Sequence, residues 1–186
     1  MKEGWEIKRR ITRKYDALAS VYDELYQEEQ NAKIKSALKN IQLRKSDRIL
    51  DVGCGTGILF NHVKDQVALL VGLDISKNLL KRALFKSRGS LNVALILADA
   101  DYMPFINGSF DKIFAVTLLQ NLPDIAVTLK EINRVSRKDA LITITGLKKA
   151  FKKREFSRIL DEGNLQVLNL EAGSHLLGYV AVCRKK

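Results

Sequence analysis

Apolar residues along this chain recur in two ways. At helical spacing, Ile7, Ile11, Tyr15 and Leu18 form one stripe and predict a helix over residues 5–20; Ile34, Leu38 and Ile41 predict a second over 31–42. Beyond them, short apolar runs alternate with amphipathic segments. The runs Ile49–Val52, Ala68–Leu73, Asn92–Leu97, Lys112–Leu118 and Ala140–Gly146 read as strands, the fourth apolar almost throughout, as a strand covered on both faces should be. The intervening helices are expected from the glycines after Val52 to about Asp65, over Lys77–Ser87 with Ser76 as cap, and from Pro123 and Asp124 to about Val135. Asn107 and Gly108 mark a turn. A last helix, Lys148–Asp161, carries Phe151, Phe156, Ile159 and Leu160 on one stripe and ends at Gly163. Leu165–Leu170 and Leu176–Cys183 then read as a closing hairpin.

Alternating strands and helices give an α/β fold with a mainly parallel sheet. Ligands of such sheets sit beyond the carboxyl ends of the strands. Asp51 with Gly53, Asp74, Asp99 and Thr117 fall at or near successive carboxyl ends and so mark one rim. The centre of the pattern is RILDVGCGTGILF, Arg48 to Phe60, read as strand, glycine turn and helix start. Glycine permits positive φ and keeps Cβ atoms out of a ligand's way, and a following helix presents free N–H groups.

Length and charge refine this. The 186 residues suit one domain, 1–186, with an N-terminal helical lid over 1–44, a cofactor-binding core over 45–147, and a basic helix with closing hairpin over 148–186. The net charge of +11 divides as +4 over residues 1–50, zero over 51–129 and +7 over 130–186. A neutral centre with basic flanks suits an acidic partner such as RNA, or simply a lysine-rich solvated surface. No apolar run is long enough for a membrane span, and Met1–Lys14 lacks the apolar core of a signal peptide, so a cytoplasmic location is expected. Cys54 and Cys183, and the isolated His62 and His175, support neither a disulfide framework nor a metal site.

Asp74 lies 19 residues after Gly55 at a strand end, where a carboxylate accepts both hydroxyls of a ribose. Asp99 can accept the exocyclic amine of adenine. Together they specify an adenosine above the glycine turn. A dinucleotide turn needs a glycine where Ile58 stands, and a P-loop needs a Gly-Lys-Ser/Thr that is missing here. Asp51 just ahead of the glycines suits a cationic cofactor carrying an amine, such as S-adenosylmethionine.

Over about Tyr15 to Leu147 the chain resembles the class I S-adenosylmethionine-dependent methyltransferases, in particular the group that includes the ubiquinone/menaquinone C-methyltransferases. ILDVGCGTG resembles the family's first motif, which implies that Asp51, Gly53, Cys54, Gly55 and Gly57 hold the methionyl part of S-adenosyl-L-methionine. VGLDIS resembles the second, implying Asp74 and Ile75 at the ribose; LADADYMPF resembles the third, with Asp99 and Ala100 at the adenine. FDKIFAVTLLQNLPD resembles the fourth strand and its exit, where Thr117 and Leu118 border the methyl group. YDALASVYD resembles the group's lid, placing Tyr15 and Tyr22 over the cofactor. The resemblance implies a Rossmann-like seven-stranded sheet, mainly parallel with an antiparallel last strand, helices on both faces and a helical lid.

The departures concern the methyl acceptor. TLLQN stands where amino-group methyltransferases of the family carry N-P-P-F/Y, no cysteine falls where a pyrimidine-C5 nucleophile belongs, and Gln120 and Asn121 replace a histidine pair seen in small-molecule members. No catalytic base is therefore assigned. Three readings stand: transfer to RNA or a ribonucleoprotein or translation-associated protein through the basic flanks, with a partner subunit or direct docking on the bare cofactor face supplying what a chain without an inserted substrate domain lacks; transfer to a small molecule such as a quinone precursor; or a non-catalytic cofactor-binding scaffold.

Overall fold

A computed structural model describes residues 2–186, with side chains from residue 4. Two helices open the chain, α1 (Lys2–Leu18) and α2 (Tyr22–Leu38). Seven strands follow: β1 (Arg48–Val52), β2 (Leu69–Asp74), β3 (Val93–Leu97), β4 (Phe110–Ala115), β5 (Ser136–Leu147), β6 (Leu165–Glu171) and β7 (Gly178–Lys185). They form one sheet in the order β3-β2-β1-β4-β5-β7-β6. The first five pair in parallel, and β7 runs antiparallel between β5 and β6. Strand order reverses at β1, so the crevice for a ligand lies where β1 and β4 diverge. The intervening helices are α3 (Phe60–Val63), α4 (Lys77–Lys86), α5 (Ile125–Val135) and α6 (Lys153–Glu162).

Alternating strand residues feed two cores. Ile49, Leu70 and Phe114 face α2, α3 and α4, packing with Ile34, Phe60 and Leu79. Their neighbours Leu50, Val71 and Ile113 face α5 and α6, packing with Leu129, Ile132 and Phe156. Both faces of the central strands are thus covered, which is why these strands read as unbroken apolar runs. The two cysteines are buried, Cys54 in the first core and Cys183 in the second.

Several boundaries differ from the sequence expectation for definite reasons. The predicted helices over 5–20 and 31–42 are α1 and a longer α2, with Ala19–Val21 as the break; Tyr15 and Tyr22 stand on different helices. The helix after the glycines is only Phe60–Val63, followed by a 3-10 turn, because Gly57 has a φ of +76° and keeps the chain in a turn until Leu59. β4 ends at Ala115 rather than Leu118, since Thr117 takes a φ of +61° and a 3-10 turn follows over Leu119–Asn121. β5 begins at Ser136, pairing with Phe110 across a register shift. The basic helix starts at Lys153; Lys148 belongs to the sheet end, its N–H donating to Leu177 and its ammonium to three carbonyls, Ala172, Gly173 and Leu176. At the end of α6, Gly163 has an ordinary φ of −74° and the left-handed residue is Asn164. A Cβ on Gly163 would lie 2.5 Å from Leu129 Cδ1, so space and not backbone freedom asks for glycine there.

Gly72, in the middle of β2, has a more demanding neighbourhood. A Cβ there would meet Phe60 Cζ at 2.7 Å, Cys54 Sγ at 2.9 Å and Leu95 Cδ2 at 3.0 Å. The glycine turn and α3 seat against the sheet at this point. Gly72→Ala is expected to lower stability by about 1–3 kcal/mol, the usual cost of overpacking a filled core. Urea denaturation checks this; an unchanged midpoint would show that the turn seats elsewhere.

Candidate cofactor site

β1 delivers the chain to the glycine turn, and the turn is fastened to the end of β2. The N–H groups of Gly53 and Cys54 both donate to the Leu73 carbonyl, at 2.8 and 3.0 Å. Asp74 completes the joint: its Oδ2 accepts the Gly55 N–H at 2.8 Å and its Oδ1 the Ser76 N–H at 2.8 Å. Gly53, Gly55 and Gly57 all have positive φ, from 55° to 76°. At Gly53 a Cβ would stand 2.9 Å from Leu118 Cδ1 and would fill the crevice. Ser76 caps α4 by accepting the Leu79 N–H at 3.2 Å.

The N-terminal helices close over this turn. Asp16 of α1 accepts from the Ser76 hydroxyl at 2.5 Å and the Asn78 N–H at 3.1 Å. Asp23 of α2 accepts from the Thr56 hydroxyl at 2.5 Å and pairs with Lys86 at 2.6 Å. The two aspartates of the tyrosine–aspartate pattern therefore anchor the lid to the core, a role that periodicity does not reveal. The tyrosines cover the crevice. Tyr15 and Tyr22 meet edge to face with ring centroids 6.0 Å apart, and Tyr22 Cε1 lies 3.7 Å from where a Cβ of Gly55 would be. Burial is the main reason that the Tyr22 hydroxyl holds its proton above the ordinary phenol range, although Gln30 donates to it at 2.7 Å.

Ten of the thirteen residues expected at the cofactor line one cavity at this crevice. Gly53, Gly55 and Asp74 form its floor with Ile75; Asp99 and Ala100 lie at one end; Thr117 and Leu118 lie at the other, with Tyr15 and Tyr22 among the lid residues. Asp99 follows β3 by two residues instead of ending it. Asp51, Cys54 and Gly57 do not line the cavity. Asp51 and Cys54 are buried in the crevice floor, and a Cβ on Gly57 would meet Phe60 Cδ2 at 2.6 Å, so this glycine makes room for the core. Lys8 and Ile11 of α1 line the cavity as well. No spacing rule in the sequence marks Lys8, because its partners, Asp99 and Asp101, come from the far side of the chain.

A second cavity, of about 890 Å³, adjoins the first and shares Tyr15, Tyr22, Thr117 and Asn121 with it. Thr117 stands at the junction and is held from several sides. Its N–H donates to Thr145 Oγ1 at 2.7 Å, its hydroxyl accepts from Lys33 Nζ at 2.9 Å, and its carbonyl accepts from the Asn121 amide at 3.1 Å and from that of Gln120. A β-branched residue at positive φ is strained and persists only when so over-determined. Lys33 is fully buried and pairs with Glu29 one turn earlier; burial lowers its pKa, with Glu29 opposing. Gln120 Oε1 is buried without a hydrogen-bond partner in the wall of this second cavity.

The residues fit a cationic adenosine cofactor. A glycine cradle without Cβ atoms and a ribose-side carboxylate with lone pairs to spare are present together. The model for the family described as "Methyltransferase domain" matches residues 50–144, and the chain belongs to that family. It is 33% identical over 135 residues to a demethylmenaquinone methyltransferase of Staphylococcus aureus, covering 71% of this chain and 55% of that one. It is also 33% identical over 134 residues to an uncharacterized protein of Methanocaldococcus jannaschii, covering 70% and 49%. The chain thus spans about half the length of these curated relatives. Solved structures agree on the fold. An Aquifex aeolicus SAM-dependent methyltransferase superposes with a TM-score of 0.72 at 20% identity, covering 81% of this chain and 88% of that one. A chain of the complex between the Haloferax volcanii Trm112 methyltransferase activator and a methyltransferase gives 0.79 at 16%, covering 91% and 96%. The fold is that of the SAM-dependent methyltransferases, and the residues at this crevice fit their cofactor, S-adenosylmethionine.

Asp51 gives the site a pH signature. Burial, and then the charge of Asp74, push its carboxyl up to about 8. The folded chain holds this proton more tightly than the unfolded chain does. The stability it contributes is therefore fully present at low pH, below the unfolded value, and is lost as pH rises through the folded value. Asp51→Asn removes the titration, so the variant should gain stability relative to the parent as pH is raised from about 5 to about 9. Denaturation midpoints across that range check this, and parallel profiles for the two proteins would overturn it.

Proposed function

We propose that this chain transfers the methyl group of S-adenosylmethionine to an acceptor seated in the second cavity, and that the acceptor belongs to RNA. When bound, the cofactor supplies a methyl group already activated by its sulfonium, so positioning by the protein carries much of the catalysis. Gly53 and Gly55 let the backbone approach the methionyl part, Asp74 and Ile75 take the ribose, Asp99 and Ala100 the adenine. Asp51 and Cys54 act from beneath as the buried floor, and Gly57 holds the turn. Thr117 and Leu118 border the reacting methyl group, and Tyr15 and Tyr22 exclude water above it.

The observation that carries the RNA reading is where the basic flanks go. Lys14 from α1 and Lys149 from the β5–α6 connection are exposed in the wall of the second cavity. Exposed Arg9, Arg10 and Arg13 extend that charge along α1, and Lys152, Lys153 and Arg154 extend it toward α6. Each basic flank thus contributes a lysine to the acceptor cavity, where Glu29 is the one acid among the described lining residues, as suits a phosphate-bearing substrate. Inside, Tyr26 packs against Tyr22 with ring centroids 5.0 Å apart, and both line the cavity. Gln120, whose amide donates to the Thr117 carbonyl, stands in the same wall. A partner subunit belongs to this proposal, supported by the fold neighbour's presence in a complex with an activator.

A small-molecule acceptor is the second reading. It is favoured by the cavity volume, which lies in the range of metabolite pockets, and by the relative named for a menaquinone precursor.

Tritiated methyl transfer into total RNA, protein and small-molecule extract separates the readings. Label in RNA, falling steeply with salt, is expected; label confined to small molecules would sink the RNA assignment. Asp74→Ala should weaken S-adenosylmethionine binding about ten- to hundredfold by calorimetry, the loss of charge-assisted hydrogen bonds. Normal affinity in that variant would contradict the ribose assignment.

A further inference from the structure

We propose that Lys8 is a latch on the cofactor cleft: its ammonium occupies the carboxylates at the adenine end and holds α1 in a closed position that the cofactor must open. This inference rests on the S-adenosylmethionine reading of the site. Lys8, Ile11 and Tyr15 lie at helical spacing on one face of α1, and all three line the first cavity. Lys8 Nζ donates to Asp99 Oδ2 at 2.6 Å and also to Asp101 Oδ2. The other oxygens are used too: Asp99 Oδ1 accepts the Asp101 N–H at 3.0 Å, and Asp101 Oδ1 accepts from the Thr128 hydroxyl. Each of the four carboxylate oxygens thus already accepts one bond without any ligand, and Oδ2 of both aspartates is turned to the ammonium. The rings of Trp5 and Tyr102 lie 5.5 and 5.8 Å from the ammonium and shield it.

Two consequences follow from the geometry. Adenine's exocyclic amine and the Lys8 ammonium compete for Asp99. Beneath the seated helix, moreover, only about 80 Å³ remains, well short of the roughly 300 Å³ at which small-molecule pockets begin. The cofactor enters only if α1 lifts. The ties of α1 allow this motion. Asp16 holds its C-terminal end to Ser76 and Asn78 next to the Ala19–Val21 break, while Lys8 holds the half that lies over the adenine end. The helix is hinged at one end and latched toward the other. Burial works against the Lys8 charge, but the hydrogen bonds and charges of the two aspartates outweigh it, so the latch stays protonated at neutral pH. At 11%, 13% and 7% side-chain exposure, the three groups are sheltered from salt.

The apparent affinity of a cleft that is mostly closed is reduced by the fraction that is open. Lys8→Met keeps the apolar stem and removes the ammonium. Calorimetry with S-adenosylmethionine should show it binding about tenfold more tightly than the parent. Without ligand, α1 amides should exchange hydrogen faster, and Trp5, the one tryptophan of the chain, should change its fluorescence. Asp101→Asn keeps an acceptor for Thr128 and weakens the grip on Lys8, so it should shift affinity the same way if Lys8→Met folds poorly. Equal affinity with equal exchange overturns the latch alone. Weaker binding in both variants also overturns it, since Lys8 would then close over the cofactor instead of in its place. Binding to none of the three proteins overturns the cofactor reading and the latch with it.

Discussion

Everything at the rim of this sheet depends on one joint between the glycine turn and the end of β2. The Leu73 carbonyl and the Asp74 carboxylate together take four N–H groups, from Gly53, Cys54, Gly55 and Ser76. That joint fixes a turn whose glycines have left-handed backbone and no side chain to hold them by packing. It also places a carboxylate, buried yet with lone pairs to spare, in the wall of the cavity. Asp74 is thus both the brace of the turn and the proposed ribose partner. Gly72 beneath leaves the space into which Phe60 and Cys54 seat the turn.

From this joint the structure builds outward in two directions. Toward the adenine end lies a cluster of charge, with Lys8 drawn between Asp99 and Asp101. Toward the acceptor side lies Thr117, strained and fixed by Lys33, Thr145, Gln120 and Asn121, where the two cavities meet. One end is held by ions that a ligand can replace. The other is held by hydrogen bonds that a ligand has no reason to break. A site that must open for its cofactor yet keep the reacting atoms in register needs both kinds of restraint.

The lid shows how a sequence pattern can be right about location and incomplete about purpose. Tyr15 and Tyr22 do cover the crevice. The aspartates beside them, Asp16 and Asp23, do the fastening, each reaching a hydroxyl on the core, Ser76 and Thr56. α1 ends at Leu18, and the break at Ala19–Val21 lets the two anchors approach the core from different helices.

The succession of strands and helices, the covered strands, the glycine turn and the polar rim were legible in the sequence because each is written in local spacing: apolar runs, helical stripes, and acids at strand ends. Local signals also located the caps Ser76 and Asp124, which bond the amides just after them. They failed where a residue's role comes from distant chain. Gly57 looks like a ligand cradle and Gly163 like a backbone device, yet Phe60 and Leu129 press on them. Lys148 looks like part of a basic helix, yet three carbonyls of the β6–β7 connection claim it. Asp51 and Cys54 look like cofactor contacts and lie buried below the cavity. Lys8 looks like one more basic residue on a charged helix, and only folding brings it to Asp99, 91 positions away. Hydrophobic periodicity reports which face of an element is buried; it carries no record of which charge meets which, and in this protein those meetings decide how the cofactor site is closed.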